Sequence, residues 1–185
     1  MKNTLQKHAQ LRNILIRSVL FVVNLALFSL PGVPGSTPSI VAAAPNLTPP
    51  DMMGLYSPQA VNTFLEAIGP AGREAYHWMH LTLDLAFPLI YGSLICLVLA
   101  RQVGSNTSAG AWLPWLGLAA AIADLLENFI LLYITDHFPA PLPGLAMAAQ
   151  VFTLLKFGLI IISLMVAAVL GIQKRQHNRK PSKAT

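Results

Sequence analysis

The chain of 185 residues is 55% hydrophobic and only 10% charged, with mean hydropathy +0.59. Soluble domains carry about 25% charged residues, so the composition excludes an ordinary soluble globule and points to one small all-α membrane protein. The net charge of +5 does not indicate nucleic acid: the basic residues sit at the ends of apolar runs, with no aromatic interleaving and no nucleic-acid motif.

Residues 1–30 form a basic N-terminus followed by a first apolar run, Ile14 to Leu30, which carries Arg17 and Asn24. With Arg17 snorkelling to the cytoplasmic surface this is a short retained span. A basic stretch, a short apolar stretch and the small residues Val41 to Ala44 also fit a signal peptide. Residues 31–56 are rich in Pro, Gly, Ser and Ala without periodicity and read as an extended external linker. Residues 57–69 form an amphipathic helix: Ser57 is its cap, Pro58 its first residue, and Val61, Phe64, Leu65 and Ile68 make one stripe. The stripe lies along the outer membrane surface or caps the bundle, and Gly69-Pro70 ends the helix.

A three-span core covers residues 71–172. The first of these helices runs from Ala71 to Ala100, with Trp78 and Tyr76 at the outer interface and Leu81 to Ala100 buried. Pro88 kinks it and frees the carbonyl of Asp84, a position suited to a proton or a cation. The lone cysteine, Cys96, falls in this run and cannot form an internal disulfide. A polar loop, Arg101 to Gly110, leads to the span Ala111 to Ile134, opened by Trp112 and Trp115. An external turn rich in proline follows, then the span Leu145 to Ile172 and a basic, disordered tail, 173–185. Ten of the twelve Lys and Arg residues flank the spans on one side, so both termini are expected in the cytoplasm, with the chain multi-pass in the inner (plasma) membrane.

The chain is organised around Asp124-Leu125-Leu126-Glu127-Asn128. Carboxylates inside a spanning helix cost a few kcal/mol each even on lenient scales, roughly 3 kcal/mol at the centre, so they require polar neighbours. Asp124 and Asn128 share a helical face with Glu127 between them. A second helix offers His80, Asp84 and Tyr91, and a third offers Gln150, Thr153, Lys156 and Ser163. Rise per residue places Asp124 roughly 20 Å and Lys156 roughly 16 Å into their spans, so the three faces converge. One ammonium does not neutralise three carboxylates. Some acids are then protonated, or His80 or a bound cation completes the site. Lys156 pairs with either Asp124 or Glu127. The architectural alternative is that the cluster only holds the helices in register. His77, His80, Asp84 and Glu127 have metal-ligand character, but both histidines suit an interface equally well, and no metal or other cofactor is expected. No Ser or Cys nucleophile pairs with a histidine, and no phosphate-binding glycine loop is present.

Tyr56-Ser57, Gly72-Arg73 with Tyr76, Asp84-Leu85-Ala86-Phe87-Pro88 with Tyr91-Gly92, the Asp124 to Asn128 element and Thr153-Leu154-Leu155-Lys156-Phe157 together resemble a family of uncharacterised bacterial four-span integral membrane proteins. The resemblance covers Leu11 to Ile172, departs at the 31–50 linker, and implies the architecture and the cluster but no activity. A looser similarity, of fold only, is to the sterol-isomerase and sigma-2-receptor four-helix fold, which binds apolar cations at buried acids. This sequence lacks the full acidic and aromatic pattern of that group. The expected fold is a four-helix transmembrane bundle with an external amphipathic helix. Its polar cluster of His80, Asp84, Tyr91, Asp124, Glu127, Asn128, Thr153 and Lys156 binds a small apolar or cationic ligand from the bilayer or exchanges protons. An enzyme acting on a lipid or isoprenoid through a carboxyl acid, and a purely structural subunit, are the alternatives.

Overall fold

The computed structural model describes residues 4–103 and 112–179, and all regular structure among them is helical. Four helical stretches are long and apolar enough to cross a membrane: Leu11–Ser29, Gly69–Gln102, Trp115–Asp136 and Pro143–Gln176. In order, α1 (Thr4–His8) and α2 (Leu11–Ser29) precede a one-turn helix α3 (Thr37–Ile40) and a 3-10 turn at Pro50–Met52. Then come α4 (Pro58–Ala67), α5 (Gly69–Leu81), α6 (Leu83–Gln102), α7 (Trp115–Asp136) and α8 (Pro143–Arg179).

The bundle is built on α6, α7 and α8, which pack through small residues. A Cβ placed on Gly117 would come within 2.6 Å of the Gly92 carbonyl oxygen, and one on Gly92 within 2.6 Å of the Ala121 Cβ. Only glycine at both positions lets the α6 and α7 backbones approach this closely, the usual route to dispersion contact between apolar helices. Ala120, Ala121 and Ala123 of α7 and Ala146 and Ala149 of α8 are likewise buried. Outward faces are apolar: Val19 and Val22 of α2 and Ile161, Leu164 and Met165 of α8 are all more than half exposed.

α2 lies against α6, and its polar residues explain why it is seated there. Arg17 Nε donates to Ser93 Oγ at 3.0 Å, and Asn24 Nδ2 to the Leu83 carbonyl at 3.3 Å. Phe87 stacks on Phe21 (5.5 Å) and meets Phe28 edge-on (5.8 Å). Arg17 therefore turns to α6 rather than snorkelling away from it. At the same end Arg101 Nη1 donates to the Ala9 carbonyl at 3.0 Å, and Ala9 packs with Leu97 and Ala100.

Three expectations change. Residues 31–56 are not an extended linker but a packed cover over the end of the bundle where α5 begins. Gly35, at φ +77°, crosses so close to α5 that a Cβ would sit 2.7 Å from Met79 Cα. Ile40 is completely buried in the main core beside Val61, Phe64 and Leu65, and truncating such a residue costs about 2–5 kcal/mol. The apolar stripe of α4 packs into the same core, so α4 caps the bundle. Ser57 holds its start by accepting from the Ala60 amide at 3.2 Å.

Secondly, the helix expected over 71–100 breaks at Thr82 (φ −124°, ψ −87°), six residues before Pro88, and α6 runs on through the proline. The Thr82 hydroxyl takes the Trp78 carbonyl at 2.6 Å, while its amide bonds to Met79 instead. A threonine hydroxyl competing for the carbonyl four residues back is a recognised cause of such bends. Thirdly, the helix of the last span continues to Arg179, so 173–179 are helical rather than disordered. The remaining tail and the 104–110 part of the expected polar loop lie outside the described residues.

Candidate functional site

The eight residues of the expected cluster are all buried, and the elements above determine which of them meet. Lys156 Nζ, from α8, sits 2.8 Å from Asp124 Oδ1 and 2.7 Å from Glu127 Oε2, both on α7. One ammonium thus holds two carboxylates, not one, because Asp124 and Glu127 lie one turn apart on the face that α8 covers. The contact to Asp124 is an aligned hydrogen bond; that to Glu127 is a close ion pair.

Glu127, with no exposed surface, is held from its other oxygen by the Thr153 hydroxyl at 2.6 Å. A hydroxyl has one proton, and the shorter contact takes it. The Thr153 oxygen is then left to accept from Tyr56 Oη, 3.2 Å away. Burial pushes the Tyr56 phenol up to about 12, the Thr153 bond only partly opposing this, so the phenol stays a neutral donor.

Asp84 is placed by the break at Thr82. Its Oδ2 lies 3.1 Å from His80 Nδ1, and its carbonyl, freed by the Pro88 ring, accepts from Asn128 Nδ2 at 2.8 Å. That carbonyl is therefore satisfied within the protein rather than open to a cation or proton. Tyr91 directs its hydroxyl to the Ala120 carbonyl at 3.1 Å. Ser163 is buried but bonds back to Leu159 on its own helix, away from the cluster. His77 turns outward to Asp136 at 2.6 Å, so the two histidines do not converge. Among the described residues no group of His, Cys, Asp and Glu has metal-site geometry.

Three further residues join the cluster, Tyr76 from the helical face that carries His80, and Asp51 and Tyr56 from outside the spans. The Tyr76 hydroxyl donates to Asp51 Oδ1 at 2.6 Å, and its ring lies edge-on to His80 at 4.5 Å. Asp51 comes from the 3-10 turn, and the residue is only 9% exposed although its segment reads as external. Burial pushes its pKa up from the usual carboxylate value, and the neighbouring Asp84 adds to this. His80, Lys156 and the Tyr76 bond pull the other way. One signal in the sequence pointed to it: Asp51 is the only charged residue between Arg17 and Glu66. Tyr56 carries no such signal beyond its place in the Tyr56-Ser57 motif.

These groups surround a cavity of about 340 Å³, at the small end of the range for small-molecule sites. Asp51, Asp84, Asp124 and Lys156 form its polar wall, and Phe28, Phe87 and Phe157 are among its apolar lining. Leu25, Met52 and Phe157 are each more than a third exposed, which places an opening between α2 and α8. Glu127, Thr153, Asn128 and His80 stand behind the wall and fix its members. Four buried carboxyls thus face one ammonium and one imidazole. No protein-family model, no curated protein and no solved structure matches this chain.

Proposed function

We propose that this is a multi-pass protein of the inner (plasma) membrane, with both termini in the cytoplasm, that binds a small lipophilic cation in the cavity between α2 and α8. The cavity carries the reading: three carboxyls and aromatic rings line one small space, with Lys156 already committed to two acids. Positive charge is attracted by carboxylates and by the faces of phenylalanine rings, the latter worth about 2 kcal/mol when desolvated. Apolar outward faces and the one-sided basic residues support the membrane placement. The four-span bacterial family that the motifs resemble is consistent with this architecture. A cluster serving only as glue would leave the surplus of buried acid without a purpose.

The test is calorimetry on purified protein in a neutral detergent, titrated with octyltrimethylammonium and, separately, with an uncharged alkyl analogue of equal chain length. The reading requires the cation to bind at least tenfold more tightly than the neutral compound. Equal binding, or none, removes it. One arrangement favours a second reading, an enzyme acting on a lipid or isoprenoid. Asp84 lines the cavity with His80 behind it at 3.1 Å, a pairing suited to general acid-base work. Mass spectrometry of co-purified lipid before and after incubation separates the two, since binding alone leaves the lipid's mass unchanged.

A further inference from the structure

Each buried carboxyl of the site but one has a basic partner. Asp124 and Glu127 share Lys156, and Asp84 has His80. Asp51 has only a phenol: among the described residues its hydrogen-bond partner is Tyr76 Oη at 2.6 Å. It is also the carboxyl contributed by the cover of residues 31–56 rather than by the spanning helices, and it lines the cavity. A neutral donor supports either protonation state of a carboxyl, because a protonated Asp still has an oxygen to accept with.

We propose that Asp51 is the counterion for the bound cation, and that the cation enters in exchange for the proton of Asp51. This rests on the reading of the cavity as a cation site. In the empty site the Asp51 carboxyl holds its proton; as the cation arrives, the O–H bond breaks, the proton leaves to water, and the carboxylate remains beside the cation. The charge of the cavity is the same before and after, so the exchange adds no further uncompensated charge to it.

The groups around Asp51 favour this assignment. Tyr76 and His80 come from α5, Asp84 from α6, Glu127 from α7, and Lys156 from α8, with Tyr56 beyond the turn; Asp124 of α7 lines the same cavity. Lys156 is shared by two acids, and Tyr56 stays neutral through the range tested. Burial and the Asp84 charge favour the protonated carboxyl until a cation replaces the proton.

The exchange is read by calorimetry of octyltrimethylammonium binding, whose charge does not vary with pH, from pH 4.5 to 8.5 in pairs of buffers of different ionisation enthalpy. The wild-type protein should release about one proton per cation at the acid end, with affinity rising about tenfold per pH unit until Asp51 is ionised and flat beyond. Asp51→Asn should bind at least tenfold more weakly at pH 8.5, with no pH dependence and no proton release. Tyr76→Phe keeps the carboxyl but removes the hydroxyl that favours its charged form, so the bend in the profile should move to higher pH while the plateau is preserved. Thermal melts confirm that both variants fold. Cation binding by the wild type without proton release overturns the exchange but leaves the cation site standing. So does release that persists in Asp51→Asn, which would place the exchanging proton on another acid. No binding by the wild type at any pH overturns the cation site and the exchange together.

Discussion

Replacing Lys156 by methionine keeps the apolar stem and deletes the ammonium, leaving two carboxylates that the fold cannot hydrate. Their side chains are 3% and 0% exposed, and Nζ lies 2.8 Å from one and 2.7 Å from the other. Breaking one buried pair costs roughly 3–5 kcal/mol, and two anions sharing one cation place this case near the top, about 5 kcal/mol. At about 2–4 °C per kcal/mol for a chain of this size, the melting temperature in detergent should fall by about 10–20 °C at pH 8. The loss should be smaller at pH 5, where protonation removes unpaired charge. The two partners are not equivalent. Glu127 keeps the Thr153 hydroxyl at 2.6 Å, whereas the Tyr91 hydroxyl beside Asp124 is already bonded to the Ala120 carbonyl. Asp124→Asn should therefore restore more of the lost stability than Glu127→Gln, and the triple variant the most. The measurement is a set of thermal melts of the single, double and triple variants at both pH values. Strictly additive losses would show that Lys156 is not energetically coupled to α7, and the site as described would not survive that result.

Exposed positions report the topology: in a Cys96→Ala background, Leu55→Cys and Ala140→Cys should label from outside intact cells and Gln176→Cys should not. Labelling of Gln176→Cys from outside would invert the arrangement. N-terminal sequencing of the mature protein should begin at or near Met1, and a start near Ala44 would mean that α2 is removed as a signal peptide. Gly117→Leu should destabilise the α6–α7 contact by about 3 kcal/mol or more, read as a lowered melting temperature. Gly158→Ala, where a Cβ meets nothing within 4 Å, should be neutral or stabilising by up to about 1 kcal/mol. Asp51 has a raised pKa in the folded protein, so between its unfolded value of 3.8 and the folded one only the folded state keeps the proton. Stability is therefore lost as pH rises through that interval, by at most about 1.4 kcal/mol per unit. Asp51→Asn should gain stability relative to wild type between pH 4 and pH 8, and a parallel pH dependence of the two melts would refute this.

Most of the architecture was legible from the sequence alone. Apolar runs near twenty residues long read as helices, because a helix satisfies its backbone groups within the segment. A helix has a fixed period, so Asp124, Glu127 and Asn128, three and four residues apart on one unbroken helix, had to lie close together. Polar residues within such runs could be expected to meet one another because exposure to hydrocarbon is the costlier outcome. Capping of α4 by Ser57 and Pro58 is equally local, and it too could be read directly.

Tertiary structure decided what the local pattern does not encode. Residues 31–56 have no periodicity, and whether such a segment floats or packs depends on which surface awaits it; the groove that receives Ile40 exists only once α4 and α5 are in place. Asp51 belongs to that segment, so its burial against Tyr76 was not readable from neighbours in sequence. That Lys156 serves two acids rather than one followed from how closely α8 packs on α7, with Nζ 2.8 Å from Asp124 and 2.7 Å from Glu127. The break at Thr82 likewise arose from competition between a hydroxyl and an amide for one carbonyl, which chain periodicity does not resolve. Spacing along one helix is fixed by its geometry. Spacing between helices is fixed by packing, and the cavity lies between helices.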